Sequence, residues 1–127
     1  MAERIAIGVD EKEPYSKAIK AGGFVHVKSQ IGTDPASGEI ADGIAEQTRL
    51  TLGNIVKALE AAGTDAASLI KIHVYLADID ADFDDMHAAY LGFFDELGIV
   101  EGPARTTVGV PLSWPELRVQ IDAVAAE

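Results

Sequence analysis

Two stretches with helical spacing, each followed by a glycine, constrain the fold of this chain most strongly. The first covers residues 42–62 and the second residues 81–97, and they are closed by Gly63 and Gly98. Side chains three or four residues apart form one stripe along a helix, and glycine after the last turn is a common stop signal. The stripe positions are Ile44, Thr48, Leu52, Ile55 and Leu59 in the first stretch and Phe83, Met86, Ala89, Tyr90, Phe93 and Phe94 in the second.

The rest of the chain carries shorter segments that are typical of strands, two of them joined by a hairpin-like turn at residues 21–23. The predicted strands are Arg4 to Val9, Tyr15 to Lys20, Phe24 to Lys28, Ser68 to Leu76, Ala104 to Val110 and Leu117 to Val124. The resulting order, β-β-β-α-β-α-β-β, predicts an α+β fold. We expect a two-layer sandwich in which both helices cover one face of a mixed sheet of about six strands.

The other face of that sheet has no helix left to cover it. Residues 70–76 and 117–125 nevertheless carry apolar side chains on both alternations. An uncovered apolar sheet face predicts association with further copies of the chain. The pattern predicts an oligomer without giving its number of subunits.

Length and composition narrow the functional classes. A chain of 127 residues fits one domain, residues 1–127. It contains no cysteine, which excludes disulfides, thiol nucleophiles and cysteine-ligated zinc. We expect a cytoplasmic protein that makes no use of a membrane, because the N-terminus lacks the features of a signal peptide and no apolar run approaches the ~20 residues that span a bilayer.

The charge balance argues against nucleic acid as a partner. Ten basic residues stand among 21 acidic ones, so the formal net charge is −11. Binding to phosphates depends on clustered lysine and arginine. A binding site for a small anion therefore requires a local concentration of positive charge.

Arg105 is the first candidate for such a site. It lies inside the strand-like segment 104–110, where a guanidinium group is costly unless it faces a partner. Its planar donors suit the capture of a carboxylate. The alternative is an arginine on an edge strand that is exposed or paired with a neighbouring acid.

Several motifs occur in a specific order along the chain. The most specific is Pro-Ala-Arg-Thr-Thr-Val-Gly-Val at residues 103–110, followed by Leu-Arg-Val-Gln-Ile-Asp-Ala-Val-Ala at 117–125. Earlier come Gln-Ile-Gly-Thr-Asp-Pro at 30–35, with Gly-Glu at 38–39, and the segments 47–63 and 69–94. Together these motifs resemble the reactive intermediate deaminase (RidA, or YjgF-like) family in its strand and loop, its helices and its C-terminal strands, so the resemblance covers nearly the whole chain.

The resemblance implies a chorismate-mutase-like fold, a homotrimer and pockets between neighbouring subunits, with no cofactor and no metal. It implies hydrolysis of small 2-imino or enamine acids to 2-oxo acids and ammonia. Arg105 matches the arginine that grips the substrate carboxylate, and Tyr15 matches a tyrosine of the pocket. Residues Ser29, Gln30, Ile31 and Thr107 are implied to line the same cleft.

Three positions depart from the family's pattern. Gln120 replaces the glutamate that positions the attacking water, and a glutamine orients water without accepting its proton. Ser29 replaces a glycine in Lys-Ser-Gln, so backbone and ligand have less room to approach. His87 lies on the second helix and is a candidate replacement base if it faces the cleft.

Three functions remain open on these residues. The first is an imine deaminase in which Gln120 and the backbone position water. The second is a trimer that binds small carboxylate metabolites without catalysing a reaction. The third is a relative that acts on another substrate, such as an amide.

The histidines His26, His73 and His87 have no metal-ligand spacing, and we interpret them as structural. The acidic run 78–85 lacks the glycine and glutamate of a calcium loop, so we interpret it as a helix start.

Overall fold

The computed structural model describes residues 3–127, which form six β-strands and two α-helices in the predicted order. A single 3₁₀ turn, Ala66–Ser68, precedes the fourth strand. The bounds are β1 Ile5–Ile7, β2 Ala18–Ala21, β3 Phe24–Ile31, α1 Ile44–Ala61, β4 Leu69–Leu76, α2 Ile79–Glu96, β5 Ala104–Gly109 and β6 Val119–Ala126.

All six strands join one sheet in the order β1-β2-β3-β6-β4-β5. β4 and β5 run parallel, with α2 as the crossover, and the other neighbours are antiparallel. The sheet is therefore mixed, as predicted. β5 forms one edge of it, which places Arg105 on an edge strand.

Both helices pack on the same face of the sheet, where the core lies. Alternate residues of β4 and β6 point towards the helices, and Ile72, Val74 and Ile121 are completely buried. Leu52 and Ile55 of α1 meet them from the other layer. Neither helix of the region 3–127 is long and apolar enough to cross a membrane.

The opposite face of the sheet, called here the open face, is more polar than the sequence pattern predicts. The centre of β4 and β6 presents Lys71, His73, Tyr75, Gln120 and Asp122 there. The expectation of an apolar uncovered face is therefore wrong at the centre of the sheet, because strict alternation sends the apolar side chains of both strands to the helices.

The acidic run 78–85 begins α2, as predicted. The Asp78 carboxylate accepts a hydrogen bond from the backbone N–H of Ala81 at 3.1 Å, and Asp80 and Asp82 lie in the first turn. Such a cap satisfies a free backbone donor, and acidic residues there favour the positive end of the helix dipole.

Candidate active site

A cleft of about 450 Å³ opens beside β3 and β6. It is lined by Tyr15, Lys28, Ser29, Gln30, Ile31, Thr33, Ser113, Trp114 and Gln120. Five of the residues that the sequence pointed to, Tyr15, Ser29, Gln30, Ile31 and Gln120, therefore meet in one place. Trp114 forms part of the same wall.

The centre of the cleft is a hydrogen bond between neighbouring strands. Gln120 Nε2 donates to Ser29 Oγ at 2.8 Å. This leaves Gln120 Oε1 as the acceptor that a water molecule in the cleft can use. Ser29 thus fixes the orientation of the Gln120 amide.

A β-bulge in β3 makes that contact possible. Val27 pairs with Ala123 and Gln30 with Ile121, so β3 has one more residue than β6 across this interval. The extra residue inverts the alternation of β3, and Ile31 comes to lie opposite Gln120 on the open face. The sequence predicted β3 only as far as Lys28, so the bulge was missed.

Gln47 of α1 fixes the loops at the base of the cleft. Its side chain is 2% exposed, donates to the carbonyls of Ala41 and Glu116 at 3.0 and 2.9 Å, and accepts from the N–H of Arg118 at 2.9 Å. Gly32 passes so close that a Cβ there would stand 2.7 Å from Gln47 Cα. The segment after β3 and the loop before β6 are therefore tied to one buried amide.

A second polar group lies next to the cleft on the open face. Asp122 accepts from Tyr75 Oη at 2.7 Å on one oxygen and contacts His73 Nδ1 at 2.7 Å on the other. The hydrogen bond from Tyr75 to Asp122 raises the pKa of Tyr75 to about 12. Tyr75 and Asp122 line a smaller neighbouring cavity together with Ser29 and Gln120. The sequence gave no sign of this group, because the partners are almost 50 residues apart.

Arg105 lies elsewhere, against the aromatic side chains of α2. Its guanidinium carbon is 4.7 Å from the centroid of the Tyr90 ring and 5.8 Å from that of Phe83. The His87 ring stacks on the Phe83 ring, with 5.7 Å between the two ring centroids. Burial raises the pKa of Tyr90, and the charge of Arg105 opposes that rise. His87, a candidate base only if it faces the cleft, lies in this cluster, and Thr107 follows Arg105 on the same side of β5. Neither residue lines the cleft of its own chain.

The arginine cluster and the cleft are on opposite faces of the sheet. Arg105 pairs with Ile72, whose side chain points to the helices, whereas Gln120 pairs with Tyr75 on the open face. No side-chain rotation within one chain brings the guanidinium to Gln120. Within residues 3–127, moreover, no three potential metal-ligating side chains of His, Asp or Glu come together.

Comparisons of this sequence with a family model and with known proteins agree on one family. The model of the Endoribonuclease L-PSP family matches residues 8–127. A RutC family protein of Pyrococcus horikoshii is 43% identical over 113 residues, covering 88% of this chain and 86% of that protein. The human 2-iminobutanoate/2-iminopropanoate deaminase is 35% identical over 115 residues, covering 90% of this chain and 80% of that one.

Crystal structures of other proteins show a similar fold. The crystal structure of E. coli TdcF with bound serine has a TM-score of 0.84 and 31% sequence identity, over 96% of this chain and 93% of that chain. Its likeness agrees with a chorismate-mutase-like sheet covered by two helices. Since the family model, the relatives and the fold agree over nearly the full length, the chain belongs to the Endoribonuclease L-PSP family, also called the RidA or YjgF family.

Proposed function

We propose that this protein hydrolyses small 2-imino or enamine acids to 2-oxo acids and ammonia, in the cytoplasm, at sites shared between the subunits of a homotrimer. One observation carries the proposal: the carboxylate-binding candidate Arg105 and the water-positioning candidate Gln120 lie on opposite faces of one sheet. A second copy can supply what one chain cannot. The human relative named 2-iminobutanoate/2-iminopropanoate deaminase supports the reaction class.

The position of Arg105 suits a shared site. It lies on β5, the edge strand, and is half-buried against Tyr90 and Phe83. Stacking on aromatic rings holds the guanidinium plane while its N–H donors stay available to a carboxylate. A neighbouring copy that packs its open face against this edge places its own cleft beside the arginine.

The chemistry requires few groups. An iminium carbon is electrophilic, so orientation of substrate and water supplies much of the catalysis. Arg105 of the partner subunit holds the carboxylate, and Gln120 Oε1 accepts a hydrogen bond from water aimed at C2. Water adds to C2 and releases a proton to solvent, because an amide does not take it. The amino group of the adduct is then protonated and leaves as ammonia, while the C2 hydroxyl releases its proton to solvent and becomes the carbonyl.

Gln120 specifically favours a second candidate function. Without a carboxylate at this position, the same site can bind small carboxylate metabolites without turning them over. E. coli TdcF is a structural relative solved with bound serine. Cleavage of RNA, which the family's description suggests, is disfavoured by a net charge of −11.

A coupled assay separates these candidates. An amino-acid oxidase generates 2-imino acids in situ, and the rate of 2-oxo acid release is measured with and without this protein. We expect acceleration that falls by on the order of 100-fold in Arg105→Ala, because loss of one partner of a desolvated charge pair costs about 2–5 kcal/mol. Arg49→Ala, which removes an exposed arginine paired with Glu46 on α1, is the matched control and should keep full activity. Binding of 2-oxobutyrate without any acceleration would favour the non-catalytic candidate.

A further inference from the structure

The cleft beside Gln120 has one cationic side chain and no acidic one among its lining residues. The chain as a whole carries 21 acidic residues against 10 basic ones, so this local balance is the reverse of the surface average. The cation is Lys28, which together with Ser29 forms the bulge of β3. A positive spot of this kind attracts an anion that the rest of the protein repels.

The placement of Lys28 is well defined. Its backbone N–H donates to the carbonyl of Lys17 at 2.9 Å, which ties β3 to the segment before β2. Its Nζ lies 4.9 Å from the centroid of the Tyr15 ring, on the wall of the cleft. An ammonium group held over an aromatic face is partly desolvated and strengthens its attraction for an incoming anion.

Lys28 has an acidic neighbour near its aromatic contact but forms no ion pair within residues 3–127. The Glu13 carboxylate is close to the Tyr15 hydroxyl and raises the pKa of Tyr15. Among residues 3–127, the ion pairs within 4.0 Å do not include Lys28. Asp122, in the cavity next to the cleft, has its two oxygens occupied by Tyr75 and His73. The charge of Lys28 is therefore not neutralised by an ion pair within residues 3–127.

We infer that Lys28 binds a second carboxylate on the substrate, so that the preferred substrates are 2-imino acids with an acidic side chain. The inference rests on the proposed function: Arg105 of the partner subunit holds the carboxylate next to the imine, and Lys28 holds the one at the end of the side chain. A cleft of about 450 Å³ lies within the usual range of ligand pockets, roughly 300–1,000 Å³, and has room for such a side chain.

Binding of two 2-oxo acids, the product class, tests this inference without depending on catalysis. Calorimetric titration of the full-length protein compares 2-oxoglutarate with 2-oxohexanoate, which has an uncharged chain of similar length. Trp114, the one tryptophan of the chain, lines the cleft and reports by fluorescence whether the ligand binds there. We expect 2-oxoglutarate to bind at least about tenfold more tightly than 2-oxohexanoate, because it gains one hydrogen bond between charged groups.

Variants of Lys28 give the deciding comparison. Lys28→Met should reduce the preference for 2-oxoglutarate to about one and leave 2-oxohexanoate binding within about twofold, whereas Lys28→Arg should keep the preference. Lys57→Met, which removes an exposed lysine of α1, is the control for net charge. Thermal unfolding confirms that each variant is folded. Equal affinity for both acids in the unaltered protein, or an equal loss for both in Lys28→Met, would overturn the inference.

The coupled assay, repeated with imines of glutamate and norleucine, distinguishes this inference from the proposed function. We expect the glutamate imine to be hydrolysed with the higher kcat/KM, and the difference to disappear in Lys28→Met. Hydrolysis of both imines at equal kcat/KM would retain the proposed function and remove the role of Lys28. Binding of 2-oxoglutarate that depends on Lys28, without hydrolysis of either imine, would retain the binding role and remove the proposed reaction.

Discussion

The cleft on the open face and the arginine cluster on the helix side differ in how their polar groups are satisfied. In the cleft, the Gln120 side chain donates a hydrogen bond to Ser29. Beside it, the Asp122 carboxylate forms hydrogen bonds with both Tyr75 and His73. The arginine cluster consists of a guanidinium group against aromatic rings, and its buried atoms His87 Nδ1 and Tyr90 Oη have no hydrogen-bond partner among the described residues.

This difference suits the two regions to the separate roles that we propose for them. A hydrogen-bonded network fixes the orientation of its side chains before any ligand arrives, which suits the positioning of water. A charge held by aromatic stacking keeps its donors for a partner that comes from outside. Substitutions confined to one region therefore test the role proposed for that region.

Replacing Gln47 should give the largest effect, by weakening the support of the cleft. Gln47→Leu leaves the carbonyls of Ala41 and Glu116 and the N–H of Arg118 without this partner, so we expect the free energy of unfolding to fall by about 2–4 kcal/mol. Chemical denaturation measures it. Gln30→Leu is the matched control, because Gln30 makes only a 3.4 Å contact to the carbonyl of Lys28 and should cost far less. Equal losses in the two variants would contradict the role given to Gln47.

Restoring an acid in the cleft should change catalysis without changing carboxylate binding. In Gln120→Glu the carboxylate can take the proton of the attacking water, and general bases contribute about 10²–10⁴-fold where they act. We expect imine hydrolysis to increase at least tenfold, because part of that gain is offset by the altered contact with Ser29. Steady-state kinetics measure it, with 2-oxobutyrate affinity as the control. No increase would mean that Ser29 or His87 has reshaped the site.

The smallest effect concerns the pH dependence of stability. Asp122 raises the pKa of Tyr75 from 10.0 to about 12, so the folded protein holds this proton more tightly than the unfolded chain. The resulting stabilisation is complete below pH 10 and is lost as the pH rises towards 12. The free energy of unfolding should therefore decrease less steeply over this interval in Tyr75→Phe than in the unaltered protein. Identical slopes would contradict the hydrogen bond to Asp122.

The sequence was sufficient for the order of the elements, and the reasons are local. The glycines after both helices and the alternation of the strands act within a few residues, and the observed strands and helices lie within a few residues of the predicted bounds. The motifs also pointed to Tyr15, Ser29, Gln30, Ile31 and Gln120, which line one cleft. The other site candidates, Arg105, Thr107 and His87, do not line it within one chain.

The missing parts depend on contacts between distant segments. The bond of Asp122 to Tyr75 follows from the register of β6 on β4, and the bulge of β3 follows from its register on β6. The separation of Arg105 from Gln120 follows from the parallel pairing of β5 with β4. A single sequence read by periodicity does not contain these registers.

A mixing experiment between two inactive variants tests the shared site most directly. Arg105→Ala keeps an intact cleft, and Gln120→Leu keeps an intact arginine. If each site takes its arginine from one subunit and its cleft from the next, equal amounts of the two, unfolded and refolded together, should recover about one quarter of the unaltered imine-hydrolysing activity in random trimers. The separately refolded variants are the control. Activity of the mixture no higher than the mean of the two variants would contradict a site shared between subunits.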